Sequence, residues 1–207
     1  MARKPVGIID YGMGNLGSIE NMIRHLGEQA EFVKRPSALK NYEKAIIPGV
    51  GRFGEAMRRL CADRWDEALS EERERGIWIL GICLGMQLLV RSSEEDSCPG
   101  LGWFGLDARK FPGQSEEGER LRVPHMGWNE VRFRDSELDG FHKYYFVHSY
   151  YLPVEESNCW ASTDYQGFTF ASGIRDGRVM GVQFHPEKSH SYGKNLLRYF
   201  INLDESA

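Results

Sequence analysis

Ile77-Trp78-Ile79-Leu80-Gly81-Ile82-Cys83-Leu84-Gly85-Met86-Gln87-Leu88-Leu89 begins as an apolar run and turns, at a cysteine flanked by glycines, into a helix-forming segment. Ile77 to Ile82 predicts a buried strand, and the G-x-C-x-G bend after it predicts a sharp strand-to-helix turn. The same alternation extends toward the N-terminus. Val6 to Ile9, Glu31 to Val33 and Ala45 to Pro48 read as short strands, and Ser18 to Leu26 carries Ile19, Met22, Ile23 and Leu26 at helical spacing. Gly54 to Arg75 reads as one or two helices, with the charge-dense Asp63 to Arg75 as a solvated face. Alternation of this kind predicts a parallel sheet covered by helices on both faces.

After Leu89 the pattern changes. Ser92 to Gly102 reads as a polar loop, and Leu106 to Phe111, Asn129 to Phe133, Tyr144 to Tyr150, Phe168 to Ile174 and Val179 to Phe184 read as strands. Arg175-Asp176-Gly177-Arg178 predicts a hairpin with Asp-Gly at its centre, so antiparallel strands are expected here. Tyr192 to Asn202 predicts a closing helix with Leu196, Leu197 and Phe200 inward. No repeat or linker interrupts the chain, and one domain over residues 1–207 is expected.

Composition removes several classes of function. Hydrophobic residues make up 41% of the 207 and charged residues 27%, a globular balance, and no apolar window reaches the ~18 residues of a membrane helix. A formal charge of −4 leaves no cationic excess for a phosphate backbone, so neither nucleic acid nor membrane is an expected partner. The N-terminal Met1-Ala2-Arg3-Lys4-Pro5 leads into an apolar stretch too short for a secretory signal, and the expected compartment is the cytoplasm. Cys61, Cys83, Cys98 and Cys159 stand far apart, with no metal-binding or dithiol spacing, and are expected as free thiols. No metal or cofactor is expected.

Cys83 is the candidate nucleophile. Glycines on either side relieve crowding at a strained bend that projects the central side chain from the sheet edge. A helix N-terminus there favours the thiolate over a thiol whose ordinary pKa is about 8.5, and the next N–H, that of Leu84, can donate to a developing oxyanion. The plainer alternative is a buried structural cysteine. A base is needed to choose.

Val182-Gln183-Phe184-His185-Pro186-Glu187 ends a strand with His185 and Glu187 on one face, a spacing that lets the carboxylate orient an imidazole that accepts the thiol proton. His148 is the competing base, whereas His25, His142 and His190 fall in helix or loop contexts and are expected in solvent. Ile46-Ile47-Pro48-Gly49-Val50-Gly51 ends a strand in a glycine-rich turn whose N–H groups can meet an anion, or it is an ordinary strand-to-helix turn.

Gly12-Met13-Gly14-Asn15-Leu16-Gly17 also follows a strand and opens a helix, in the G-x-G-x-x-G pattern of dinucleotide sites. Such a site wants an acidic residue at the end of the second strand, where this chain has Lys34-Arg35, with Glu31 at the start. A nucleotide-binding module using this loop, with a structural Cys83, is the rival from another class; a tight turn is the bland reading.

With the cysteine elbow, His-Pro-Glu and the glycine-rich strand end in view, the chain resembles the class I (triad) glutamine amidotransferases over nearly its whole length. More narrowly it is similar to the glutaminase subunits of imidazole glycerol phosphate synthases. That likeness rests on Ile9 to Leu16, Pro48 to Gly54, Val123-Pro124-His125-Met126-Gly127-Trp128-Asn129, Tyr145 to Tyr150 and Phe184 to Ser189. The resemblance implies a three-layer, flavodoxin-like α/β fold with a central, mostly parallel sheet, helices on both faces and additional antiparallel strands. It implies glutamine hydrolysis to glutamate and ammonia through a thioester on Cys83, with His185 moving protons and Glu187 orienting it.

By the same resemblance, Val50 and Leu84 N–H groups form the oxyanion hole, the former after a peptide flip. Gly49, Gly51, Gln87, Ser149 and Tyr150 hold glutamine, and His148 is a wall of the site. The expected partner is a (βα)8-barrel cyclase subunit in a heterodimer of the histidine pathway, met near Asn15, Trp128, Tyr145 and Lys188. The run Ser92 to Gly105 departs from the family's usual pattern, and related glutaminases feed sugar amidotransferases of surface-polysaccharide synthesis; that acceptor stays open.

Overall fold

The apolar runs of the N-terminal half become neighbouring strands of one sheet. A computed structural model of the chain describes residues 4–114, 118, 120–134, 138, 140, 142–155 and 157–204; the first three residues of the basic N-terminal stretch lie outside them. In order come β1 (Val6–Ile9), α1 (Leu16–Arg24), β2 (Ala30–Val33), β3 (Lys44–Ile47), α2 (Phe53–Ala62), α3 (Trp65–Glu74), β4 (Trp78–Ile82) and α4 (Leu84–Leu88). The remainder is β5 (Val90–Ser93), β6 (Asp96–Pro99), β7 (Phe104–Lys110), β8 (His125–Glu130), β9 (Arg132–Phe133), β10 (Lys143–His148), β11 (Tyr150–Tyr151), β12 (Cys159–Tyr165), β13 (Phe168–Asp176), β14 (Val179–Val182) and α5 (His190–Asn202).

The main sheet has eight strands in the order β2-β1-β3-β4-β14-β13-β12-β9. Pairing is parallel from β2 to β14 and antiparallel from β14 to β9. Successive residues on each strand enter opposite cores. Ile8, Ile46, Leu80 and Met180 pack with Ile19, Leu196 and Phe200 of α1 and α5, while Ile9, Ile47, Ile79 and Val179 pack with Phe53, Leu60 and Leu69 of α2 and α3. This is the expected three-layer arrangement of helices on both faces of a sheet.

Several local readings are corrected. Ser92 to Gly102 is not a polar loop, because β5 and β6 pair there as a hairpin and join β7 and β11 in a second sheet. Its acidic residues are consumed by tertiary contacts: Phe53 N–H donates to Glu95 at 2.8 Å and Gly54 N–H to Asp96 at 3.0 Å, capping α2 from outside the helix. Asn129 to Phe133 divides into β8 and β9, and Tyr144 to Tyr150 divides at Ser149 into β10 and β11. In the β13–β14 hairpin Asp176 pairs with Val179, so the two loop residues are Gly177 and Arg178, not Asp-Gly. Of the one or two helices expected over Gly54 to Arg75, two form, separated where Arg64 takes a left-handed φ of 59°. Strand β12 was not anticipated: Cys159-Trp160-Ala161-Ser162-Thr163-Asp164-Tyr165 mixes polar and apolar residues without clean alternation, and a register shift sits in its ladder.

The candidate active site

Three adjacent parallel strands, β3, β4 and β14, deliver the three key segments to one edge of the sheet. Chains leaving the carboxyl ends of such strands open toward a common crevice, which is where this fold class places its ligands. β4 leads directly into Cys83, whose φ of 55° and ψ of −109° are strained for a residue with a side chain. Its neighbours must be small. A Cβ added to Gly85 would lie 1.9 Å from Ile47 O, and one added to Gly81 would lie 2.6 Å from Gly85 O. Gly49 is pressed against the same turn, where a Cβ would stand 2.6 Å from Gly85 N. The glycine-rich end of β3 is therefore seated directly on the elbow. Leu84 opens α4, so its N–H has no partner within the helix and is available to an oxyanion.

The segment after β14 carries the candidate base, His185. His185 Nδ1 lies 2.7 Å from Glu187 Oε1, and both side chains are buried. Because the carboxylate accepts from Nδ1–H, Nε2 is left for the Cys83 side. Burial alone would drive the imidazolium to lose its proton, but the Cys83 sulfur and the Glu187 carboxylate reverse that and hold His185 well above the ordinary histidine range. His185 is also fixed by its backbone: its N–H donates to Tyr145 O at 2.9 Å, and Ser189 Oγ donates to His185 O at 2.6 Å.

Val50, Gly51, Cys83, Leu84, Gln87, His148, Ser149, Tyr150 and His185 line one cleft of about 620 Å³, with the exposed Asn15 and Lys188. Gly49 packs behind it and Glu187 stands behind His185. Trp128 and Tyr145 lie off the cleft, joined to it by Lys188, whose Nζ is 5.7 Å from the Tyr145 ring centre; Trp128 packs edge-on to Tyr145 at 6.3 Å. His148 is excluded as the base, since Nδ1 donates to Tyr150 O at 2.8 Å and Nε2 is engaged by His125 at 3.0 Å.

A larger cavity of about 1040 Å³, beside α2, α3 and the β5–β6 hairpin, contains Cys61 and Cys98. Burial and then Asp66 push the Cys61 thiol up, and burial and then Asp96 push Cys98 up, so neither is prepared as a nucleophile.

The glycine loop is a turn. Gly12 and Gly14 have φ of 82° and 108°, Gly14 lies against Pro48, and Gly12 O accepts from Arg59 at 2.9 Å. Just before the loop stands a residue that the pattern did not single out: Tyr11 donates its buried hydroxyl to Pro48 O at 2.7 Å, anchoring the segment after β3 that leads to Val50. Glu95, Pro124 and Val147 also join the cleft wall unannounced. Tyr11 and Glu95 reach the site across 37 and 42 positions of chain, to Pro48 and Phe53, and no local signal marks such contacts.

Comparison with known proteins agrees with this geometry. The family "Glutamine amidotransferase class-I" matches residues 7–203. The chain is 42% identical to the imidazole glycerol phosphate synthase subunit HisH of Moorella thermoacetica over 207 aligned residues, covering 97% of this chain and 95% of that one. It is 40% identical to the HisH subunit of Bacillus subtilis, with 96% of each covered, and 40% identical to that of Thermotoga maritima, with 97% and 98% covered. Among solved structures it superposes on a glutamine amidotransferase with a TM-score of 0.72 at 19% identity, covering 96% and 97%, and on PurLQS from Thermotoga maritima with a TM-score of 0.72 at 18%, covering 98% and 99%. The chain belongs to the class-I glutamine amidotransferases and, within them, to the family of HisH subunits of imidazole glycerol phosphate synthase.

Proposed function

We propose that this chain hydrolyses glutamine with a Cys83–His185–Glu187 triad and passes the ammonia to a (βα)8-barrel cyclase subunit bound as a heterodimer. The observation that carries the reading is the meeting, at the ends of adjacent strands, of a strained cysteine elbow with a buried His–Glu pair.

In this mechanism the Cys83 sulfur attacks the side-chain amide carbon of glutamine, and the carbonyl oxygen gathers charge beside the Val50 and Leu84 N–H groups. His185 gives its proton to the departing nitrogen as the C–N bond breaks, leaving a thioester and ammonia. Water then attacks the thioester, losing its proton to His185, and glutamate leaves as the thiol is restored. Glu187 keeps the imidazole in one tautomer throughout. Gly49, Gly51, Gln87, His148, Ser149 and Tyr150 shape the glutamine pocket. The free subunit is nearly idle until the partner shifts the population toward the state in which the Val50 N–H faces the pocket.

The exposed Trp128 and Met126, beside Tyr145 and Lys188 and next to Asn15 at the cleft, supply the surface for the barrel subunit. Residues 1–207 act as one domain, a reading supported by the family match across 7–203. Four free cysteines fit a reducing cytoplasm.

The test is glutamate release from glutamine by wild type and Cys83→Ala, alone and with the histidine-pathway cyclase and its ribotide ligand. Cys83-dependent release that rises steeply with the cyclase is expected. Cys83-dependent release indifferent to the cyclase would redirect the ammonia to another acceptor, such as a sugar amidotransferase.

A further inference from the structure

The Cys83 sulfur has a second polar neighbour: the side-chain Nε2 of Gln183, 3.7 Å away on a residue with no exposed surface. Which end of that amide faces the sulfur follows from a chain of hydrogen bonds that starts at a carbonyl able only to accept. Tyr150 O lies 2.8 Å from His148 Nδ1 and 3.2 Å from Gln87 Nε2, so both nitrogens donate to it. With Nδ1 protonated and the ring neutral, His148 presents Nε2 as an acceptor, and His125 Nδ1 donates across 3.0 Å. His125 Nε2 then accepts from Asn129 Nδ2 at 3.3 Å, and that nitrogen also donates to Asp164 O at 2.9 Å. On the other side Gln87 has its second N–H for Gln183 Oε1, at 2.8 Å. That leaves the nitrogen of Gln183, and not its oxygen, toward Cys83.

We propose that Gln183 is a catalytic residue that donates its side-chain N–H to the Cys83 sulfur, held in that orientation by Gln87, whose own amide is set by Tyr150 O, the carbonyl that also anchors His148, His125 and Asn129. A neutral donor favours the thiolate over the thiol without cancelling its charge. As the carbon–sulfur bond forms, charge leaves the sulfur for the carbonyl oxygen, so the donor raises the fraction of competent enzyme and does not speed attack by the thiolate itself. A residue that only filled space would affect all pH values alike. The far end of the chain, Asn129, stands on β8 next to the exposed Trp128, so the order of this network extends to the surface assigned to the partner.

The proposal rests on Cys83 being the nucleophile, which Cys83→Ala tests separately through glutamate release. The contact itself is read by the rate of Cys83 alkylation with iodoacetamide against pH, on the full chain. Gln183→Met keeps most of the volume and removes the donor. The alkylation rate at neutral pH is expected to fall about tenfold, with the curve displaced to higher pH and its plateau retained. Gln183→Glu, which puts an acceptor at the sulfur, is expected to displace it further. In the complex, kcat of Gln183→Met should fall at neutral pH and recover at higher pH while the glutamine KM holds. A folded Gln183→Met whose alkylation curve overlays that of wild type would overturn the proposal. Should neither variant fold, the Gln183 side-chain amide resonances of the wild-type chain decide: they should shift with the midpoint of Cys83 alkylation, and resonances that ignore it contradict the contact.

Discussion

His185 Nδ1 and Glu187 Oε1 lie 2.7 Å apart, two residues apart in sequence, with both side chains sealed from solvent. The short 3₁₀ turn Pro186–Lys188 that follows β14 makes this possible, folding the carboxylate back under the ring. The carboxylate fixes the tautomer that leaves Nε2 toward Cys83. Glu187→Gln keeps the shape but offers an amide that can stabilise the wrong tautomer and no longer balances the imidazolium. Its kcat for glutamine hydrolysis is expected to fall by about 10³ with little change in KM, measured by glutamate release in the complex.

Gly85 makes a very close backbone approach to β3. A methyl group there would sit 1.9 Å from Ile47 O, so Gly85→Ala must push β3 away from the elbow. A loss of about 2–3 kcal/mol is expected, lowering Tm by roughly 5–10 °C, together with loss of turnover as Val50 moves from Leu84. Thermal melting and glutamate release on the same sample check both.

Burial pushes His125 down to about 4, and burial with the neighbouring His125 pushes His148 down to about 3. Both stay neutral in the folded chain at pH values where the unfolded chain, with histidines near pKa ~6.5, takes up protons. The unfolded state therefore binds more protons below about pH 6.5, and stability falls as pH drops from there toward the folded values. Between about pH 6.5 and pH 5 the pair is expected to cost roughly 2–4 kcal/mol. Urea unfolding across this window should show the loss, and His125→Asn should remove about half of the slope.

Trp128 is half-exposed and stacks on His190 with ring centres 5.6 Å apart, beside an exposed Met126. An aromatic anchor of this kind at an interface is worth over 1 kcal/mol when truncated. Trp128→Ala is expected to weaken binding of the cyclase subunit about tenfold or more, as read by calorimetric titration.

Strands β1, β3 and β4 were legible because each is a short apolar run closed by a polar or turn-forming residue, Asp10, Pro48 and Cys83 in turn. The candidate residues Cys83, His185 and Glu187 were legible because they lie in two compact local patterns, 81–85 and 185–187. What was not legible depends on distant contacts. Ser92 to Gly102 is polar, yet it is hairpin because Glu95 and Asp96 cap a helix more than forty positions earlier in the chain, at Phe53 and Gly54. Asn129, His125 and His148 gave no local sign of forming one chain, since the antiparallel register of β8 and β10 sets His125 opposite His148. Gln183 sat inside a quoted motif, and only the meeting of β14 with β4 gives its amide a sulfur to face.

A covalent bond at Cys83 is the central step of the proposed reaction. Enzyme in complex with the cyclase, quenched in acid during turnover and digested, should yield a glutamyl thioester on the peptide containing Cys83, and Cys83→Ala should give neither adduct nor glutamate. Undiminished glutamate release by Cys83→Ala would contradict the account.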